Sequence, residues 1–240
     1  RLLATEFSDS LFAAEYKCWS QLLFWRKVSR PSLASTRSGR QHPSPEQKSL
    51  GWKVDYEKLL GYLREKYGVS IAYYFGGVEI HNYPFDYQTQ DTVPLLVLEQ
   101  HLLAILLNKK RPPTEAGILL LERHIKRVRF YKKLEQFGYK LILKPVKRYE
   151  SEDGETIQRK ANCDVEMTYR IMNEQGNFER ALILSGDGDF LPVLRHLRRE
   201  GKEVLVLSRG PRTAREIRQF AGEKFLDFKY LETKIVFVEK

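Results

Sequence analysis

The stretch Ala181-Leu182-Ile183-Leu184-Ser185-Gly186-Asp187-Gly188-Asp189-Phe190-Leu191-Pro192-Val193-Leu194 decides how this chain is read. An uninterrupted apolar run over Ala181 to Ser185 predicts a strand buried on both faces, which is a property of parallel sheets. Gly186 and Gly188 permit a tight turn. The apolar residues after Phe190 recur at helical spacing and predict a helix to about Glu200. A strand, an abrupt turn and a helix in this order form half of a β-α-β unit.

The same alternation extends in both directions. Downstream, Glu203 to Ser208 predicts a strand, Thr213 to Ala221 a helix and Lys234 to Glu239 a last strand. Upstream, Asn162 to Asn173 predicts a helix, Lys147 to Lys160 a loop or hairpin tip, and Tyr139 to Pro145 a strand. Thr114 is placed to cap a helix reaching Phe137, with Gly138 as its stop. Pro112-Pro113 separates it from an apolar helix over Val93 to Leu107. A Tyr/Pro/Asp-rich loop fills His81 to Thr92, after a strand from Ser70 to Phe75 closed by Gly76-Gly77. Asp55 caps a helix with Tyr56, Leu59, Leu60, Leu63 and Tyr67 on one face, ended by Gly68. Short apolar strands alternating with helices predict an α/β protein, a three-layer α/β/α sandwich with a mostly parallel sheet. Ligands of such sheets bind at the carboxyl ends of the strands.

Asp187 and Asp189 therefore fall at a strand's carboxyl end, beside a helix start. One of them as a helix cap accounts for one aspartate, not for two. Paired carboxylates there are what a hard divalent cation requires, because Mg²⁺ takes oxygen ligands and keeps several waters. A second acidic motif, Lys160-Ala161-Asn162-Cys163-Asp164-Val165-Glu166-Met167, opens the helix upstream. Its acids also suit the positive end of a helix dipole, which is their plainer use.

Taken together, residues 160–167, 183–194 and 201–207 resemble the NYN domain, the LabA-like branch of the PIN-like nucleases. Tyr73-Tyr74-Phe75-Gly76-Gly77 and Phe130-Tyr131-Lys132-Lys133-Leu134 to Pro145 fit the same group. The resemblance covers about Gly51 to the C-terminus and is interrupted by Val93 to about His124, read as a helical insertion. It implies a PIN-like, Rossmann-like sandwich whose acids hold Mg²⁺ or Mn²⁺ and hydrolyse RNA phosphodiesters. Residue by residue, Asp164 matches the acid of the central helix, and Asp187 and Asp189 match those of the Ser-Gly-Asp-Gly-Asp-Phe turn. These three are the implied catalytic and metal-binding residues. Ser185 would hold a carboxylate or a phosphate oxygen, or is simply a small residue at a tight turn. Glu166 projects away from Asp164 on a helix and stays outside the metal's ligand set.

One part of the family pattern is missing. NYN domains open with an apolar strand ending in Asp, which belongs just before Gly51. That place holds Ser29-Arg30-Pro31-Ser32 to Pro45, a composition too polar to fold alone and read as a linker. Before it, Phe12, Tyr16, Trp19, Leu22, Leu23 and Trp25 predict a short amphipathic helix over Leu11 to Trp25. Residues 1–49 are thus expected to be an atypical segment outside the ancestral domain at 50–240, with the first strand and its acid lost or replaced. Leu2 to Phe7 is a candidate to fill the gap. This loss supports a second reading, an RNA-binding module without catalysis.

Charge points to the partner. The 240 residues carry 41 Lys and Arg against 31 Asp and Glu, a net charge of +10, with a mean hydropathy of −0.47. Residues 109–148 hold thirteen Lys and Arg against three Glu, enough to supply the whole excess. Arg123, Lys126, Arg127, Arg129, Lys132 and Lys133 share one helix with Phe130 and Tyr131. A basic helix bearing aromatics can follow a phosphate backbone, and the plainer reading of the same charges is a solvated helix face. Arg127, Lys132, Lys133 and Lys160, with Ser185, are the candidate contacts to single-stranded RNA. Two cysteines exclude a disulfide framework, and no GxGxxG or Walker loop supports a nucleotide-binding enzyme. No run reaches the ~20 apolar residues of a membrane span. The expectation is a cytoplasmic protein, with Val93 to Leu107 packed on the next helix or, alternatively, serving a homodimer.

Overall fold

The computed structural model describes residues 21–26, 51–150, 157–160 and 163–238. It has an α/β fold in which parallel strands alternate with flanking helices. The chain divides into two compact units. One contains described residues 22–26, 51–71 and 168–238, and the other contains 21, 72–150, 157–160 and 163–167.

In the unit centred on residues 72–167, strand β2 (Ile71–Val78) pairs in parallel with β3 (Lys140–Pro145), from Tyr73↔Lys140 to Val78↔Pro145. Between them run helices α2 (Leu95–Leu106) and α3 (Glu115–Phe137). The Thr114 hydroxyl accepts from Gly117 N at 3.2 Å, and Gly138 ends α3 at φ 100°, a left-handed conformation that glycine adopts without penalty. α2 packs on α3 as expected, through Leu98, Leu102, Ile125 and Val128, all buried. α3 is continuous through residue 124, where the expected insertion was to end. An antiparallel hairpin, β4 (Lys147–Glu150) with β5 (Ile157–Lys160), follows β3 at the place expected for a hairpin tip.

The other unit holds the strand, turn and helix of residues 181–194. β6 (Arg180–Leu184) pairs in parallel with β7 (Glu203–Ser208), and β7 with β8 (Phe225–Asp227). Helices α5 (Leu191–Arg199) and α6 (Arg215–Ala221) pack against β7. Their apolar faces, Val193, Leu194, Leu197 and Ile217, are buried with Leu182, Ile183, Val206 and Leu207. Each such side chain contributes ~1.5–3 kcal/mol on burial. Helix α4 (Asp164–Glu174) begins in the unit of residues 72–167 and continues here. Helix α1 (Tyr56–Tyr67) is capped as predicted: Glu57 N and Lys58 N each donate to Asp55 Oδ1 at 3.1 Å, and Gly68 closes it at φ 65°.

Two expectations are corrected. Gln21–Arg26 is a strand, β1, where the spacing predicts a helix over Leu11 to Trp25. It runs antiparallel to β6, with Leu22 opposite Leu184 and Arg26 opposite Arg180. The edge of β6 offers unpaired main-chain groups, and a segment that satisfies them while burying Leu23 completely gains more as a strand than as a short lone helix. An apolar strand therefore does stand upstream of Gly51, but in the opposite direction and without a carboxylate. The second correction concerns Lys234 to Glu239. Glu232–Ile235 is a helical turn, α7, and Val236 makes only an isolated bridge to Val54. The position beside β7 is taken by Phe225–Asp227. Residues 11–20 of the predicted helix, Leu2 to Phe7, and the Ser/Arg/Pro-rich linker lie outside the described residues.

Candidate active site

β6 ends at Leu184, and the chain turns at once. Asp187 N donates to Ser185 Oγ at 3.2 Å, and Asp189 N donates to Asp187 Oδ1 at 3.0 Å. Asp187 thus caps the single 3₁₀ turn Gly188–Phe190, which leads directly into α5. Phe190 is buried and anchors the turn from below, while Asp187 and Asp189 are exposed. The local sequence accounts for all of this: two glycines, a capping carboxylate and an apolar anchor.

Neighbouring elements complete the site. Ala214 N donates to Gly186 O at 2.8 Å, tying the start of α6 to the turn. A Cβ on Gly186 would lie 2.7 Å from Ser208 Oγ and 2.9 Å from Thr213 Cα, so only glycine fits beneath that tie. At Gly188 the space a Cβ would need is taken by Glu216 Oε1, from the first turn of α6. Glu216 therefore brings a third carboxylate to the turn that carries Asp187 and Asp189. At the carboxyl end of β7, Arg209 precedes and Arg212 ends the turn Gly210–Arg212, held by Gly210 N donating to Asp227 Oδ2 at 3.1 Å. Burial, and then the charge of Arg209, hold the Arg212 guanidinium below its usual pKa.

The other predicted residues are distributed differently. Asp164 is the first residue of α4, half-buried, in the unit of residues 72–167, whereas Asp187 and Asp189 belong to the other unit. Glu166 is paired with Lys144. Arg127 Nε donates to Tyr131 Oη at 3.0 Å and its guanidinium lies 5.7 Å from that ring's centre. Lys132 Nζ binds Glu99 Oε2 at 2.8 Å, and Arg129 Nε binds Glu99 Oε1 at 2.8 Å. Arg127 and Lys132 thus have partners within their unit, and Lys133 is exposed. Lys160 stands opposite Lys147 in the β4–β5 hairpin. Among the described residues, no three His, Cys, Asp or Glu side chains come together as a ready-made metal cage.

Reading the sequence missed Glu216, Arg209 and Arg212. A signal was present: Ser208-Arg209-Gly210-Pro211-Arg212 follows a predicted parallel strand, and ligands gather where such strands end. What the sequence does not contain is the proximity of α6 to the β6 turn.

The NYN domain model matches residues 39–231. This chain belongs to the NYN domain family. The NYN domain is related to the PIN-like nucleases, and the Ser185–Phe190 turn is the part of it built here most fully from local sequence. Over 108 residues the chain is 29% identical to the low amplitude and bright protein LabA of Synechococcus elongatus, covering 45% of this chain and 56% of that protein. The chain thus spans about half the length of that relative. A crystal structure of a protein of unknown function from Vibrio parahaemolyticus is similar at 23% identity and a TM-score of 0.37, over 47% of this chain and 64% of that one. No helix among the described residues is long and apolar enough to cross a membrane.

Proposed function

We propose that this NYN domain is a metal-dependent endoribonuclease that hydrolyses phosphodiester bonds of single-stranded RNA at the Ser185–Phe190 turn. The observation that carries the reading is the pair of exposed carboxylates, Asp187 and Asp189, on a turn stiffened by its own hydrogen bonds at the end of a parallel strand. The donor set suits Mg²⁺ or Mn²⁺: Asp187, Asp189 and Glu216 offer only hard oxygens, and Mg²⁺ commonly uses one or two carboxylates and retains its waters. A bound ion supplies an activated water and offsets charge that builds on the phosphate in the transition state.

The protein's own residues do the rest. Ser185 Oγ accepts from Asp187 N, which leaves its hydroxyl proton to donate to a carboxylate or a phosphate oxygen. Asp187 spends Oδ1 on Asp189 N and keeps Oδ2 for the site. Arg209 and Arg212, positioned at the end of the adjacent strand, neutralise a phosphate brought to that edge. The turn is preorganised, so little reorganisation is needed as charge develops.

The second reading, an RNA-binding NYN module without catalysis, is favoured by β1, which stands at the edge of β6 in reverse and carries no Asp. Labelled single-stranded RNA incubated with the protein in Mn²⁺, in Mg²⁺ and in EDTA, beside Asp187→Asn, decides between them. Metal-dependent cleavage that disappears in the variant supports the nuclease. Intact RNA bound by a folded protein supports the module.

A further inference from the structure

α5 and α6 enclose a shallow recess of about 600 Å³ lined by Pro192, Arg195, Arg198, Arg199 and Phe220. The α5 residues are spaced i, i+3, i+6, i+7, so all face one side of the helix. Arg195, Arg198 and Arg199 are exposed, and together they bring three positive charges to one opening. Arg198 is not loose. Its guanidinium lies 3.6 Å from the centre of the Phe220 ring, and Nη2 donates to Phe220 O at 2.8 Å. One planar face is therefore covered by an aromatic ring, and the orientation of the plane is set by the hydrogen bond. The recess starts at Pro192, three residues after Asp189, and α5 carries it about 10 Å further, at 1.5 Å per residue.

We infer that the α5–α6 recess is a second RNA subsite, which holds the single strand beyond the phosphate engaged at the Ser185–Phe190 turn. Arg195 and Arg199 contact phosphates, and the outer face of the Arg198 guanidinium, stacked on Phe220, receives a base. Planar guanidinium groups stack on unpaired bases, and a plane already fixed loses less freedom on binding. The inference rests on RNA being the ligand of the adjacent turn, but not on cleavage there.

The test is equilibrium binding of a labelled 12-nucleotide single-stranded RNA to the full chain in EDTA, across a salt series. Arg195→Ala/Arg199→Ala is expected to weaken binding at least tenfold at low salt. Its salt slope should fall by about 1.4, at ~0.7 for each single-strand phosphate that the variant no longer neutralises. Arg198→Lys keeps the charge, so its slope should stay while affinity falls roughly fivefold or more through weaker stacking. Thermal melts confirm that the variants fold. Unchanged affinity and slope in folded variants would overturn the inference, as would failure of the wild-type chain to bind RNA while it binds anionic lipid vesicles through the same arginines. A wild-type chain that fails to cleave RNA in Mn²⁺ or Mg²⁺ yet shows these slopes leaves the subsite standing and removes only the nuclease reading.

Discussion

Glu216 Oε1 occupies the space that a side chain at Gly188 would need. The glycine and the carboxylate come from different elements, and each explains the other. The obstructing atom is the far end of a flexible side chain, so Gly188→Ala is expected to cost under ~1 kcal/mol of stability as Glu216 swings aside. Mn²⁺ affinity should fall together with that of Glu216→Gln, and the double variant should lose no more than either single change. Calorimetric Mn²⁺ titration measures both. Gly186→Ala contrasts with this, because it meets Thr213 Cα in the backbone and should destabilise by roughly 1–3 kcal/mol in denaturant titration.

Asp187 has two roles that substitution separates. Asn still accepts from Asp189 N, so Asp187→Asn should melt like the wild type while losing RNA cleavage. Asp187→Ala removes the cap as well and should cost a further ~1 kcal/mol. Parallel melts and cleavage assays read the two roles apart.

Glu99 is a carboxylate whose pKa burial pushes up, but hydrogen bonds and charges from Arg129 and Lys132 outweigh burial and hold it below the usual range. A depressed folded-state pKa contributes stability above the unfolded value and loses it as pH falls through the folded one. Arg129 is largely solvent-exposed, so screening limits the gain to about 1 kcal/mol or less. The stability gap between wild type and Glu99→Gln should be largest near pH 7 and close at acid pH, read by urea unfolding at each pH.

Tyr131 is fully buried, donates to Gly77 O at 2.8 Å and accepts from Arg127 Nε. Tyr131→Phe leaves a strand carbonyl and a guanidinium short of a partner and should cost about 1–3 kcal/mol. Arg127→Ala should likewise lower stability while leaving the salt slope of RNA binding unchanged, whereas Lys133→Ala should reduce that slope and leave stability alone.

Leu23 tests β1. Its side chain has no exposed surface, and Leu23→Ala should destabilise by about 2–5 kcal/mol. A neutral effect in chemical denaturation would show that β1 does not hold the edge of β6.

Local order was legible wherever a few adjacent residues settle the backbone. Asp55 and Gly68 bound α1, Thr114 and Gly138 bound α3, and Ser185 to Phe190 fold into the turn that the residues predict. In each case caps and glycines act within four residues, so neighbours in sequence are sufficient cause. The apolar runs of β6 and β7, read from Ala181 to Ser185 and from Glu203 to Ser208, likewise announced a buried parallel sheet.

Pairing across the chain was not legible. Leu22 and Leu23 fit a helical spacing as well as a strand, and the open edge of β6 chose the strand. Lys234 to Glu239 reads as a strand in sequence, yet Phe225–Asp227 holds the place beside β7. The pairing of Lys132 with Glu99, thirty-three residues away, was likewise not legible. Glu216 reaches Gly188, between Asp187 and Asp189, beside the backbone tie of Ala214 to Gly186. Hydrogen bonds within a turn depend on adjacent residues, whereas strand partners and carboxylate clusters depend on which distant segments bury the most surface together. That competition is resolved only in the folded chain.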